Sequence, residues 1–90
     1  MNWRWDHRKA IANKKKHGVS FELAALVFDD PLHLSQPDMH RDGNRWQTIG
    51  RVSDTTLLVV HTYYEDESGG RIISARKATA HERHAYEEEI

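Results

Sequence analysis

Eight side chains in the second half of this 90-residue chain have types suited to work on a charged ester. Arg51, Arg76, Lys77 and Arg83 are cations, His61, Tyr63 and Tyr86 can take or give a proton, and Trp46 offers a flat apolar ring. Guanidinium forks hold tetrahedral anions through paired N–H donors, and imidazole exchanges protons near neutral pH. Spacing groups some of them. His61 and Tyr63 are two apart and project from one face of a strand. Arg83 and Tyr86 are three apart and share a helix face. Arg76 and Lys77 close an apolar run, where a strand end aims two cations in different directions. Arg51 sits in the strand-like stretch just before that of His61. Each also has a plain structural reading. An Arg at a strand end is commonly a solvated charge, His61 in an apolar strand fits a hydrogen-bonded core histidine, and Tyr86 fits the anchor of a helix with few apolar residues. Trp3 and Trp5 read as core.

The elements that must position these groups follow from pattern. Residues 1–5 alternate and predict a short strand with Trp3 and Trp5 on one side. Asp6 is a good N-cap for a helix over 7–17, closed by Gly18, with Lys14, Lys15, Lys16 and His17 in its last turn. Its thin apolar face places it on the surface. Ser20 caps a second helix over 21–28 that is apolar nearly all round and belongs in the core. Asp29, Asp30 and Pro31 end it. Four strands are then expected: 32–36, 45–52, 57–64 with its LLVV run, and 71–76. A polar loop over 38–44 separates the first two, and a charged, glycine-ended turn over 65–70 precedes the last. Thr79 and Glu82 form a capping box that opens a final helix. The predicted order is β-α-α-β-β-β-β-α. Short turns make consecutive strands antiparallel. The expectation is an α+β domain with one antiparallel sheet and its helices on one face.

Composition narrows the function. No cysteine is present, which excludes thiol nucleophiles, disulfide frameworks and Cys-ligated metal sites and suits a reducing cytoplasm. No apolar stretch approaches ~18 residues, and the N-terminus lacks the apolar segment of a signal peptide. Net charge is −1, against a non-specific DNA coater. The charge is uneven, however: residues 1–17 carry six Lys/Arg and one Asp, while residues 78–90 carry one Arg and four Glu. His81 and His84 are three apart, one short of the helical H-E-x-x-H spacing, and no third ligand accompanies them, so no metal site is expected.

Several longer stretches are more specific. WRWD, Lys16-His17-Gly18-Val19-Ser20-Phe21-Glu22, Asp30-Pro31, LLVVHTYYE and Arg71-Ile72-Ile73-Ser74-Ala75-Arg76 occur in an order that resembles the BrnT family of bacterial type II toxins over nearly the whole chain. The resemblance implies a single toxin domain over residues 1–90 with a RelE-like fold. It implies RNA cleavage that inhibits translation in the cytoplasm, without a cofactor. It also implies a BrnA-like ribbon-helix-helix antitoxin in a complex with two copies of each chain, DNA being bound only through the antitoxin. The chain departs from the family's pattern at Tyr64, where Arg is common, and at Gly69-Gly70, where an apolar pair is common. The Tyr64 departure keeps a second reading open: a module that binds its antitoxin in an autorepressing complex and has little catalysis of its own.

Metal-free RNA cleavage of that kind needs a base for the 2′-OH, cations for the phosphate oxygens and a donor for the leaving 5′-oxygen. We therefore expect Arg51, His61, Arg76 and Tyr86 to converge as the catalytic group. Arg51 and Arg76 would hold the scissile phosphate, and His61 or Tyr86 would handle the proton. Lys77, Arg83, Tyr63 and Trp46 are expected to hold the flanking RNA by charge and stacking.

Overall fold

The LLVV run predicts a strand buried on both faces. In the computed structural model of the chain, which describes residues 2–39 and 43–89, that strand is the middle of a five-stranded sheet. The elements are β1 (Asn2–Arg4), α1 (His7–His17), α2 (Phe21–Ala25) continued by a 3-10 turn (Leu26–Asp29), β2 (Leu34–Pro37), β3 (Trp46–Val52), β4 (Thr55–His61), β5 (Gly69–Lys77) and α3 (Ala80–Glu88). The α+β class and the element order match the sequence reading. Residues 40–42 of the expected polar loop lie outside the described residues. No helix among the described residues is long and apolar enough to cross a membrane.

The caps form as their residues dictate. The Asp6 carboxylate accepts from the N–H groups of Arg8 and Lys9 at 2.8 and 3.1 Å, and Gly18 closes α1 in the left-handed region at φ 73°. The Thr79–Glu82 capping box opens α3 as expected.

The sheet corrects two expectations. Its order is β1-β5-β4-β3-β2, and β1 pairs parallel with β5, so the sheet is mixed rather than antiparallel. The tight-turn argument holds for the β2–β3, β3–β4 and β4–β5 neighbours, which are all antiparallel. It says nothing about β1, which reaches β5 from the far end of the chain. The join explains the glycine pair. Gly69 and Gly70 are the first residues of β5 rather than a turn, opposite Asn2 and Trp3. A Cβ on Gly69 would lie 1.7 Å from the Asn2 carbonyl oxygen, and one on Gly70 1.8 Å from that of Thr62. Only glycine permits that approach. Beyond Arg71 the outer edge of β5 has no paired strand among the described residues. There the buried Asn13 of α1 acts as a substitute: its side-chain amide donates to the Ala75 carbonyl at 2.8 Å and its oxygen accepts from the Ala75 N–H at 3.1 Å.

The second correction is that helices cover both faces. Alternation puts Leu57, Val59 and His61 of β4 on one face, with Ile72 and Ala75 of β5. Val19, Phe21, Ala24 and Val27 close over that face and form the core. Leu58 of β4 points the other way, to the face that α3 crosses together with Ile49 and Leu34. The sequence alone does not reveal which face a terminal helix takes. Helix α2 is also shorter than expected, because the 3-10 turn takes over at Leu26, and it leaves Leu23 and Leu26 exposed.

Candidate functional site

Cross-strand register builds the site's floor. Leu34, Ile49, Leu58 and Arg76 lie in one row across β2, β3, β4 and β5. Arg51, two residues beyond Ile49, projects from the same face. Helix α3 crosses above and leaves a cleft of about 460 Å³ walled by Gln36, Gln47, His81, Glu82 and Tyr86.

Arg76 and Arg51 each meet a glutamate from α3. Arg76 donates to both carboxylate oxygens of Glu82, at 2.7 and 2.9 Å, in a two-pronged geometry. That hydrogen bonding pulls the Glu82 carboxyl down to about 2 and raises the pKa of Arg76. Arg51 reaches Glu87 at 3.4 Å, and Arg83 approaches the same carboxylate oxygen at 3.9 Å.

Tyr86 is the one buried side chain among the described residues of α3, and its hydroxyl donates to Asp30 Oδ2 at 2.5 Å. The same oxygen accepts from the Arg51 N–H at 2.8 Å, and Oδ1 accepts from the Leu32 N–H at 2.9 Å. Burial works against charge on Asp30, but these three donors outweigh it and hold its carboxyl below the usual range. Burial, then the bond to Asp30, pushes the Tyr86 phenol up to about 12. Tyr86 therefore keeps its proton in neutral solution. It is a donor and not a base.

His61 lies on the opposite face, fully buried. Phe28, Tyr63 and Trp3 surround its ring edge-on, with centroids 4.8, 4.9 and 5.0 Å away. Burial drives its pKa down to about 4, so the ring is neutral. Its Nδ1–H then donates to the Thr62 carbonyl at 3.1 Å, and Nε2 accepts from the Thr48 hydroxyl at 2.6 Å, itself 2.7 Å from Ser35 Oγ. All its hydrogen bonding is spent inside the protein. Trp46 packs against Tyr63 on this side at 5.5 Å. Lys77 is opposite Leu57 and so directed away from α3, exposed at the strand end.

The structure places Arg51, Arg76 and Tyr86 on the α3 side of the sheet and Arg83 on α3 itself, with Arg76 at Glu82 in the helix's first turn and Arg51 at Glu87 in its last. It places His61, Tyr63, Trp46 and Lys77 elsewhere, across the sheet. Four residues of the α3 side receive no site role from the sequence: Asp30, which reads only as a helix stop before Pro31; Glu82, which reads only as a cap; Glu87; and His81, which reads only as a candidate metal ligand. The available signal was charge, since a glutamate-rich last helix following an arginine-ended strand implies that the two meet.

A protein-family model described as "Ribonuclease toxin, BrnT, of type II toxin-antitoxin system" matches residues 5–82. No curated protein matches the chain. The match spans most of the sequence, and the chain belongs to that family of ribonuclease toxins.

Proposed function

We propose that the chain is a metal-independent endoribonuclease that cuts RNA by attack of a 2′-OH on the adjacent phosphate, and that it inhibits translation by destroying messages. The observation that supports this reading is the placement of Arg51, Arg76 and Tyr86 on the α3 side of the sheet, each bonded to a carboxylate. A bidentate arginine–carboxylate pair has the geometry of an arginine–phosphate pair. In this reading a phosphate replaces Glu82 on Arg76, and Arg51 neutralises a second non-bridging oxygen. The 2′-oxygen gives up its proton and bonds to phosphorus, and the bond from phosphorus to the 5′-oxygen breaks. Tyr86 protonates the leaving 5′-oxygen. His81, which lines the same cleft, replaces His61 as the proton acceptor. Arg83 holds a flanking phosphate, whereas Lys77, Tyr63 and Trp46 drop out of the cleft.

A type II family implies an antitoxin partner. We assign it as a BrnA-like ribbon-helix-helix protein, two copies binding two toxins and supplying all DNA contacts. The alternative, an antitoxin-binding module with little catalysis, is favoured by one observation: Arg76 and Arg51 are already paired with glutamates of α3. Incubation of purified protein with single-stranded RNA in chelator separates the two. We expect cleavage leaving 2′,3′-cyclic phosphate ends, and none where the 2′-OH at the cut is replaced by hydrogen. A folded, antitoxin-binding protein that leaves RNA intact contradicts the enzyme reading.

A further inference from the structure

We propose that the apolar rim formed by Leu26 and Leu32, with the exposed Leu23 three residues before Leu26 and the concavity beside it, is the surface on which the antitoxin docks, and that docking there covers Arg51. The proposal rests on family membership for the existence of the partner and on the reading above for the role of Arg51.

Six large apolar side chains are exposed among the described residues, and four of them fall between positions 23 and 34. Leu23 and Leu26 lie three apart in a segment whose pattern predicts full burial, yet 38% and 46% of their surfaces face solvent. Leu32 is exposed to 47%, and together with Leu26 it rims an open concavity of about 490 Å³. Arg51, Asp30 and Tyr86 form part of its wall, so the groups of the candidate site line its inner side. An apolar rim beside a concavity is the form of a protein-docking patch.

Charge selects the occupant. The Arg51 side chain is 46% exposed, and its one side-chain partner among the described residues is Glu87, at a long 3.4 Å. Most of its N–H donors remain for an incoming carboxylate. Asp29 and the charged Asp30 on the same rim restrict incoming negative charge to the position of Arg51, and leucines offer no stacking platform for a base. The surface therefore fits a protein segment with two aliphatic anchors and one carboxylate. Such a segment would seal Arg51 from RNA, which is how an antitoxin silences the site without touching Arg76.

The test is the affinity of the purified toxin for a purified BrnA-like antitoxin, read by titration calorimetry. The double variant Leu26→Asp/Leu32→Asp is expected to weaken binding at least about 100-fold, since two buried anchors are lost. Ile11→Asp, at an exposed position on α1, is expected to leave binding within about threefold. Circular dichroism establishes that each variant folds, and Leu26→Ser/Leu32→Ser serves if the aspartates disturb folding. Unchanged antitoxin affinity in the double variant overturns the proposal. So does lost RNA binding with antitoxin binding intact, or a change only in self-association of the free chain. The readout requires no cleavage, so a protein that never cuts RNA refutes the enzyme reading and leaves this test standing.

Discussion

The two faces of the sheet put their polar groups to opposite uses. On the α3 side, Arg51, Tyr86 and Asp30 form one half-open network and Arg76 pairs separately with Glu82, so each cation holds a carboxylate at the surface. On the other face, Trp3, Phe28, Tyr63 and His61 form a packed box in which the imidazole has no remaining donor or acceptor. Chemistry needs groups that can change partners. Stability needs groups that do not. Residue type alone cannot separate the two, and exposure and hydrogen-bond saturation do.

The sharpest way to break this contrast is Arg76→Ala. Removing a positioned cation from a phosphate site costs catalysis about 1,000-fold, ~4 kcal/mol of transition-state stabilisation. Cleavage rates on a defined RNA check it, with folding verified separately. A folded, fully active variant ends the assignment.

The buried box is tested by pH. His61 has an ordinary value of 6.5 and is held at about 4 in the native state. The unfolded chain therefore binds the proton first, and stability is lost as pH falls from about 6.5 toward 4, by roughly 3 kcal/mol in total. Denaturant melts across that range measure the slope, which flattens in His61→Gln. An unchanged slope in that variant shows that His61 is not the group responsible. Cleavage per folded molecule is expected to stay within about threefold in the same variant.

Tyr86→Phe tests the link between the faces of the argument, because the phenol serves both folding and the proposed chemistry. Loss of its bond to the Asp30 carboxylate is expected to lower stability by about 2 kcal/mol. Cleavage should fall as well, since no donor remains for the leaving oxygen. A stability loss with unchanged cleavage restricts Tyr86 to the role of an anchor.

The smallest expected effect is that of Glu82→Gln. Its carboxyl is drawn from 4.5 to about 2 by hydrogen bonds from Arg76, so it stabilises the fold above about pH 4.5 and loses that contribution as pH falls toward 2. Partial exposure of the pair limits the contribution to about 1 kcal/mol. The same substitution frees Arg76, so a gain in RNA affinity alongside a small stability loss sharpens the picture of a glutamate standing where phosphate binds.

Much of this was legible in the sequence. Asp6, Gly18, Thr79 and Glu82 announce the ends of α1 and the start of α3, and the LLVV run announces the central strand. Even the fate of His61 was within reach, since Leu57, Val59 and His61 share one parity in the apolar run and so face one way. Three features were out of reach because they depend on contacts distant in sequence. These are the parallel β1–β5 pair that the glycines permit, the face taken by α3, and the meeting of Asp30 with Tyr86 across 56 residues. The exposed Leu23 and Leu26 belong with these, because an apolar pattern records a need for burial without saying whether the chain itself or a partner supplies it.

The central claim is that RNA engages the α3 face. Amide chemical-shift mapping with an oligonucleotide made uncleavable by 2′-deoxy substitution tests it most directly. The account predicts the largest shifts at Arg51, Arg76, His81 and Tyr86, with His61, Tyr63 and Trp46 unmoved. Shifts confined to the aromatic face, with the α3 face silent, contradict it.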